Sequence, residues 1–304
     1  MEELHAKIQF VLRAGEKMIY FCITFDVPNS YEEAPKTRQE MSDWIKYTIK
    51  FLDEIGCREA TFFVDEFGYN FTKELPENLV ELLDYGEIGL HSHLNYPPHG
   101  SRSRLPKDYH VIHAQIKTGK EKLEEFLRKY SNQRVISIRS GNFLTSKVYF
   151  KAIYDLGFKI DSSIIAYHSI KTMTLTQIVS RYVLRKVGIK FHDINSLPAG
   201  AQPYYFNLNA PLRNANDGDM LEVPVNIFTR MLERGFNLEE LVSHQLSRNR
   251  DNDKVIITFC MHPFEFLKFN ALSKFFISFN EKHGVEFVRI KDIQKIANHQ
   301  RCIE

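Results

Sequence analysis

Lys17 to Val27 reads KMIYFCITFDV, a run of apolar and β-branched residues that closes on a single acid, Asp26. A continuous apolar run with one terminal acid is the signature of a strand buried on both faces. Working outward, Arg38 to Ile55 places Met41, Trp44, Ile45, Thr48, Leu52 and Ile55 at helical spacing, and Gly56 stops the helix. Glu59 to Val64 (EATFFV) then reads as a second strand. Strand, helix, strand in this order predicts parallel βαβ units. The alternation continues. Strands are expected at Glu87–His91, Val135–Ile138, Phe158–Asp161, Leu221–Val225, Val255–Cys260 and Glu286–Ile290. Helices are expected at 78–83, 111–130, 147–156, 238–246 and 271–279. About seven or eight such units predict an α/β barrel, open or closed, rather than a doubly wound sheet.

Functional residues of such barrels collect at the C-terminal ends of the strands. Here those ends carry Asp26, then Asp65 and Glu66, then His91 with Ser92, His93 and Asn95, then Arg139, Asp161 and His262. Any one of them has a plain structural explanation, since Asp and Asn are common in turns and a lone His is usually structural. Acids, histidines and an arginine at nearly every strand end point to one shared site. The spread from Asp26 to His262 also bears on domain count. At about 150 residues per domain, 304 residues suggest two domains, yet a barrel of about 200–250 residues is commonly one. One barrel domain over 1–304 is expected, with an N-terminal extension 1–17 and an inserted segment at about 169–218.

Composition narrows the function classes. Lys and Arg number 40 against 38 Asp and Glu, a balance that argues against nucleic acid as partner. No run reaches the roughly 18 apolar residues of a membrane span, and Met1 to Lys17 lacks the apolar core of a secretory signal. Cys22, Cys57, Cys260 and Cys302 form no CxxC pair, which suits reduced thiols and a cytoplasmic location. The 24 Phe residues fit a tightly packed interior.

Six segments in order resemble the polysaccharide deacetylase family, also called the NodB-homology or carbohydrate esterase 4 group. They are Thr24-Phe25-Asp26, Ala60 to Val64 (ATFFV), Glu87 to His93 (EIGLHSH), Arg139 to Phe143 (RSGNF), Gly157 to Ser163 (GFKIDSS) and Met261-His262-Pro263. The resemblance implies a distorted (β/α)7–8 barrel and removal of an acetyl group from an N-acetylated sugar or glycan precursor of a cell-surface polysaccharide. It implies Asp26 as base, His262 as acid and Arg139 as the partner that orients Asp26. Asp161 would hold His262 protonated or brace the Arg139 network. It also implies a divalent metal, zinc or similar, with His91 as a ligand. The carbohydrate would be free or carried on a nucleotide or lipid. Leu221 to Val225 resembles a late family strand and reads as structural.

Two positions depart from the family pattern. The acid that usually follows or lies two after the first Asp is replaced by Val27 and Pro28, and the second histidine of H-[ST]-x-x-H is Asn95. His93, two residues from His91, faces the same side on a strand and would substitute. Asn95 would give an oxygen ligand, and Asp65 or His99 another. The remaining alternatives are metal-independent hydrolysis of a small cyclic amide, as in the allantoinase branch, and a non-catalytic glycan-binding relative. Retention of Asp26, Arg139, Asp161 and His262 favours a working site.

Three further stretches carry lesser signals. Leu175 to Lys190 (LTQIVSRYVLRKVGIK) is amphipathic with a basic face, suited to a peripheral membrane contact or to packing on the barrel. Tyr204 and Tyr205 in the inserted segment, and Asn142 beside the arginine motif, are candidate substrate contacts; the tyrosines equally suit loop packing. Asn95 to Lys107 is basic, suited to a phosphate or simply to solvent.

Overall fold

The computed structural model describes residues 17–27, 37–65, 77–94, 105–166, 197–215, 217–229, 232, 235–263 and 271–300, with residues 38, 77 and 298–300 described by backbone alone. Asn95 and the 175–190 stretch lie outside the described residues, as do Glu66 and His99.

The chain runs β1 (Met18–Val27), α1 (Arg38–Ile55), β2 (Ala60–Asp65), a 3-10 turn (Glu77–Asp84), β3 (Gly86–Ser92), α2 (Tyr109–Leu127), β4 (Ser137–Ser140) and a second 3-10 turn (Gly141–Phe143). It continues through α3 (Lys147–Asp155), β5 (Ile160–Asp161), β6 (Tyr204–Phe206), β7 (Met220–Glu222), β8 (Ile227–Phe228) and α4 (Leu238–Arg248). The last elements are β9 (Lys254–Met261), α5 (Ala271–His283), β10 (Glu286–Phe287) and α6 (Ile290–Gln300). Helix starts are set by local side chains. Thr37, Asp108, Ser146 and Asn237 each accept a backbone N–H of the first turn that follows.

The strand order is β6-β7-β5-β4-β3-β2-β1-β9-β8, parallel throughout except for the β6/β7 edge, and β10 adds to the start of β1. Residues 220–228 turn this order into a barrel. Their first part pairs with β5, Val225 bridges Ile165, and their last part pairs with β9. One stave therefore joins the two ends of the sheet, changing partner halfway. That is the distorted seven-stave barrel expected from the strand count.

The two-residue period of a strand sorts side chains between an inner and an outer layer. On β1, Phe21 turns outward, meets Phe259 and Phe276 edge to face and stacks on Phe279, with ring centroids 5.0, 5.8 and 5.3 Å away. Tyr20 and Cys22 turn inward, onto a cluster with Phe63, Ile160, Leu221, Val223 and Ile256. Val288, Ile290 and Ile293 join that inner cluster from below, so the start of α6 plugs the barrel floor. Glu87 and Thr61 receive its first N–H groups: Lys291 N donates to Glu87 Oε1 at 2.8 Å, and Ile290 N to Thr61 Oγ1 at 3.0 Å. This pairing is the physical reason that Ile290 opens a helix where the sequence suggests the end of a strand. A second boundary also moves. The fourth strand lies at Ser137–Ser140, not Val135–Ile138, which brings Arg139 inside the strand and under the barrel roof. Next to β7, β6 is an antiparallel edge strand.

Among the described residues no helix is long and apolar enough to cross a membrane. Cys22, Cys57 and Cys260 are buried and stand outside any disulfide among the described residues.

Glu87 gives the floor a pH signature. Burial pushes its carboxyl up to about 7, against the opposing pull of the Lys291 N–H and charge and of the Thr61 hydroxyl. A folded pKa above the unfolded value means that the folded chain binds the extra proton, so this contribution is full below about 4.5 and is lost as pH rises toward about 7. In urea titrations, wild type is expected to lose on the order of 3 kcal/mol relative to Glu87→Gln across that window. A difference that stays flat with pH would refute the assignment.

Candidate functional site

The same alternation that makes the floor apolar makes the roof polar. Asp26 on β1, Asp65 on β2, His91 on β3, Arg139 on β4, and Cys260 and His262 at the end of β9 are all buried. Register lines them up. Asp65 stands beside His91, and His91 beside Arg139. His93 follows in the column of His91, and their rings meet edge to face with centroids 4.6 Å apart.

Arg139 is the hub. It has no solvent exposure. Its Nη1 donates to Asp26 Oδ1 at 2.9 Å, its Nε to the Ser162 carbonyl at 3.0 Å, and its Nη2 to Ser162 Oγ at 2.9 Å. The guanidinium also lies over the Phe63 ring, 4.3 Å from the centroid. Gly89 leaves the room for this stack, since a Cβ there would stand 2.9 Å from Phe63 ring atoms. Three directed hydrogen bonds and a ring face fix the fork in one orientation.

The second oxygen of Asp26 is also engaged. Cys260 Sγ donates to Oδ2 at 3.3 Å. The sequence favours reading Cys260 as a reduced thiol, with no contact to Asp26 in view. Its place two residues before His262, on the same inward face, was the available signal. Burial pushes the Asp26 carboxyl up, but the charges of His91, Arg139 and His262, with the Arg139 hydrogen bond, outweigh it and hold the group well below the usual range. Arg139 is the part of that charge present at neutral pH whatever the histidines do. Asp26 is therefore an ionised carboxylate in a dry setting.

Burial pulls both His91 and His93 down to about 4, so both imidazoles are neutral at neutral pH. His91 Nδ1 lies 3.1 Å from the Arg139 carbonyl, an acceptor, so Nδ1 carries the proton and Nε2 holds the lone pair. His93 Nε2 is 3.6 Å from Asp65 Oδ2, and its ring lies flat against Gly141, where a Cβ would come within 2.3 Å of Nδ1. The turn after Arg139 accommodates this contact with Asn142 and Phe143 both at φ 56, a left-handed stretch that is costly for Phe. His262 lies against Phe228, with ring centroids 5.4 Å apart, and close enough to Asp26 and His93 for its charge to act on both.

A divalent metal requires three or four protein ligands in sites of the zinc type. Among the described residues no three His, Cys, Asp or Glu side chains converge as a ligand set. His91 and His93 offer two neutral nitrogens, and the described residues do not complete the shell.

Asp161 departs from its expected place. Ile160 packs in the inner cluster, so the two-residue period turns Asp161 outward under α3. There Oδ1 accepts from Tyr149 Oη at 2.8 Å and from Ser163 Oγ at 2.7 Å, and Oδ2 accepts from Ser163 N at 3.2 Å. Of the two roles the resemblance implies, this geometry serves the bracing of Arg139 through Ser162 and Ser163, not a grip on His262. Tyr204 likewise donates its hydroxyl to the Pro211 carbonyl at 2.7 Å and packs on the outer core, while Tyr205 packs against the inner cluster. Both tyrosines close the sheet edge. Asn142 is half-buried in the turn beside His93.

Removing Arg139 alone strands a buried carboxylate. Arg139→Met is expected to lower stability by about 3–5 kcal/mol in chemical denaturation, and Asp26→Asn in the same chain to recover part of that loss. Additive losses would mean that the two side chains are not coupled.

No protein-family model and no curated protein matches the sequence. Solved structures do. A protein of Mycobacterium smegmatis assigned to the polysaccharide deacetylases superposes with a TM-score of 0.59 at 18% identity, covering 95% of this chain and 93% of the other. PuuE allantoinase superposes with a TM-score of 0.57 at 12% identity, covering 94% and 92%. The 4-alpha-glucanotransferase of Thermococcus litoralis gives 0.55 at 10% identity, covering 92% of this chain and 40% of the enzyme. Identities this low speak to architecture. The chain has the distorted α/β barrel fold of the polysaccharide deacetylases.

Proposed function

We propose that the protein is a hydrolase that removes an acetyl group from an N-acetylated sugar or glycan precursor. The observation that carries this reading is the buried Asp26 carboxylate, aimed by Arg139 and flanked by His262 at the C-terminal ends of the strands. Amide hydrolysis needs a base for the attacking water and an acid for the departing nitrogen. Asp26 takes one proton from water as its oxygen bonds to the carbonyl carbon. His262 gives one proton to nitrogen as the C–N bond breaks, leaving acetate and a free amine. Arg139 keeps Asp26 ionised and in one orientation between turnovers. The sugar, its carrier and the protein's compartment follow from this reading only as expectations: a carbohydrate, free or on a nucleotide or lipid, met in the cytoplasm.

A second reading rests on His91 and His93, which gather no third metal-ligating side chain among the described residues. The same base and acid would open a small cyclic amide or ureide without a metal.

Acetate release from N-acetylglucosamine oligosaccharides separates the two readings. Turnover is expected in wild type, with kcat lowered on the order of 10²–10⁴-fold in Asp26→Asn and in His262→Ala. Hydrolysis of a cyclic ureide that survives chelation, with no acetate released, would favour the second reading. Turnover unchanged in Asp26→Asn would end both.

A further inference from the structure

Behind the roof lies a second pair of acids that the proposed chemistry does not touch. Asp161 on β5 and Glu222 on β7 are register neighbours on adjacent parallel strands, and neither has any solvent exposure. The hydrogen bonds they receive from the described residues are few. Tyr149 Oη, Ser163 Oγ and Ser163 N go to Asp161. Ile164 N goes to Glu222 Oε1 at 3.1 Å. Glu222 Oε2 is buried, and among the described residues no donor bonds to it. Two adjacent carboxylates in a dry layer cannot both be ionised. The oxygen without a donor is where a proton belongs, because an O–H there supplies the missing hydrogen bond to Asp161. The electrostatics agree. Burial, followed by the Asp161 charge, pushes Glu222 well up, whereas the donors around Asp161 oppose its own rise. The other ionisable groups facing the pair are Tyr149 from α3, Tyr204 from β6 and Arg139 from β4.

This pair holds a particular loop. Ser162 meets Arg139 with its carbonyl and its hydroxyl, and that hydroxyl donates onward to the Val223 carbonyl at 2.8 Å. Ser163 Oγ receives Ser140 N at 2.8 Å, directly after Arg139 in the chain. The loop that aims the guanidinium is thus tied to Glu222 and Val223 on one side and to Asp161 on the other. We infer that Glu222 is a positioning residue: it carries the proton of an acid–carboxylate pair with Asp161, and through that pair keeps Ser162 in place to aim Arg139 at Asp26. The consequence for turnover rests on the proposed role of Asp26; the location of the proton does not.

The test compares Glu222→Gln, Glu222→Leu and Asp161→Asn. A glutamine reproduces the protonated acid, since its amide N–H donates to Asp161 while its carbonyl accepts from Ile164 N. An asparagine at 161 instead turns N–H groups toward donors. Infrared difference spectra at pH 7 are expected to show a protonated-carboxyl band that Glu222→Gln removes. Glu222→Gln should melt with wild type and keep its kcat for acetate release. Asp161→Asn and Glu222→Leu should melt lower and lose kcat on the order of 10²-fold with KM little changed, as a misaimed group does. The inference is overturned if the band is missing, if Gln at 222 behaves like Leu, or if Asp161→Asn matches wild type. Should no acetate be released by any form, the deacetylase reading fails, while the band and the melting order still decide the placement of the proton.

Discussion

A guanidinium shut away from water needs its counter-charge inside the protein, and Arg139 finds it 2.9 Å away in Asp26. Much of the upper barrel is arranged to make that burial tolerable. Ser162 takes two of the remaining N–H groups, Phe63 offers its ring face, and Gly89 gives the ring its space. Cys260 covers the other carboxylate oxygen. The partners come from different strands and from the loop after β5, so the ion pair depends on the sheet being curled to bring them together. In turn it ties β1 to β4 across the interior.

The closure itself is unusual and useful. Residues 220–228 pair first with β5 and then with β9, crossing the gap as one bent stave. The bend places Val223 under Ser162 and Glu222 against Asp161 and the Ile164 N–H. The one stave thus grips the loop from its first half and reaches β9 with its second. The distortion of the barrel and the aim of the arginine are in this sense one structural fact.

Much of this was legible from spacing alone. Asp26, His91 and His262 were readable as roof residues of the candidate site because long apolar runs make the strand ends plain, and a strand end in a parallel barrel is a roof position. Arg139 was readable as a residue but not in its depth, because the short strand that holds it begins two residues later than its apolar pattern suggests. The choice between the two roles open to Asp161 was not readable, for a related reason. Its strand has only two paired residues, too few to reveal that Ile160 faces in and Asp161 out. Cys260 and Glu222 resembled ordinary strand residues, and only the fold brings each against a carboxylate 234 or 61 positions away. Burial of a polar group has no local pattern. It is set by which strands become neighbours, and the bent stave decides that here.

The central claim is that Asp26 is an ionised, buried carboxylate held by Arg139. Side-chain carboxyl carbon NMR of Asp26 on acidification tests it most directly, with Asp26→Asn identifying the resonance. The signal is expected to show no titration across the usual carboxylate range, around 3.5–4.5, while the protein remains folded. A titration midpoint of about 4 or higher in the folded protein would contradict it, because a carboxylate paired with a buried guanidinium cannot take up a proton that readily.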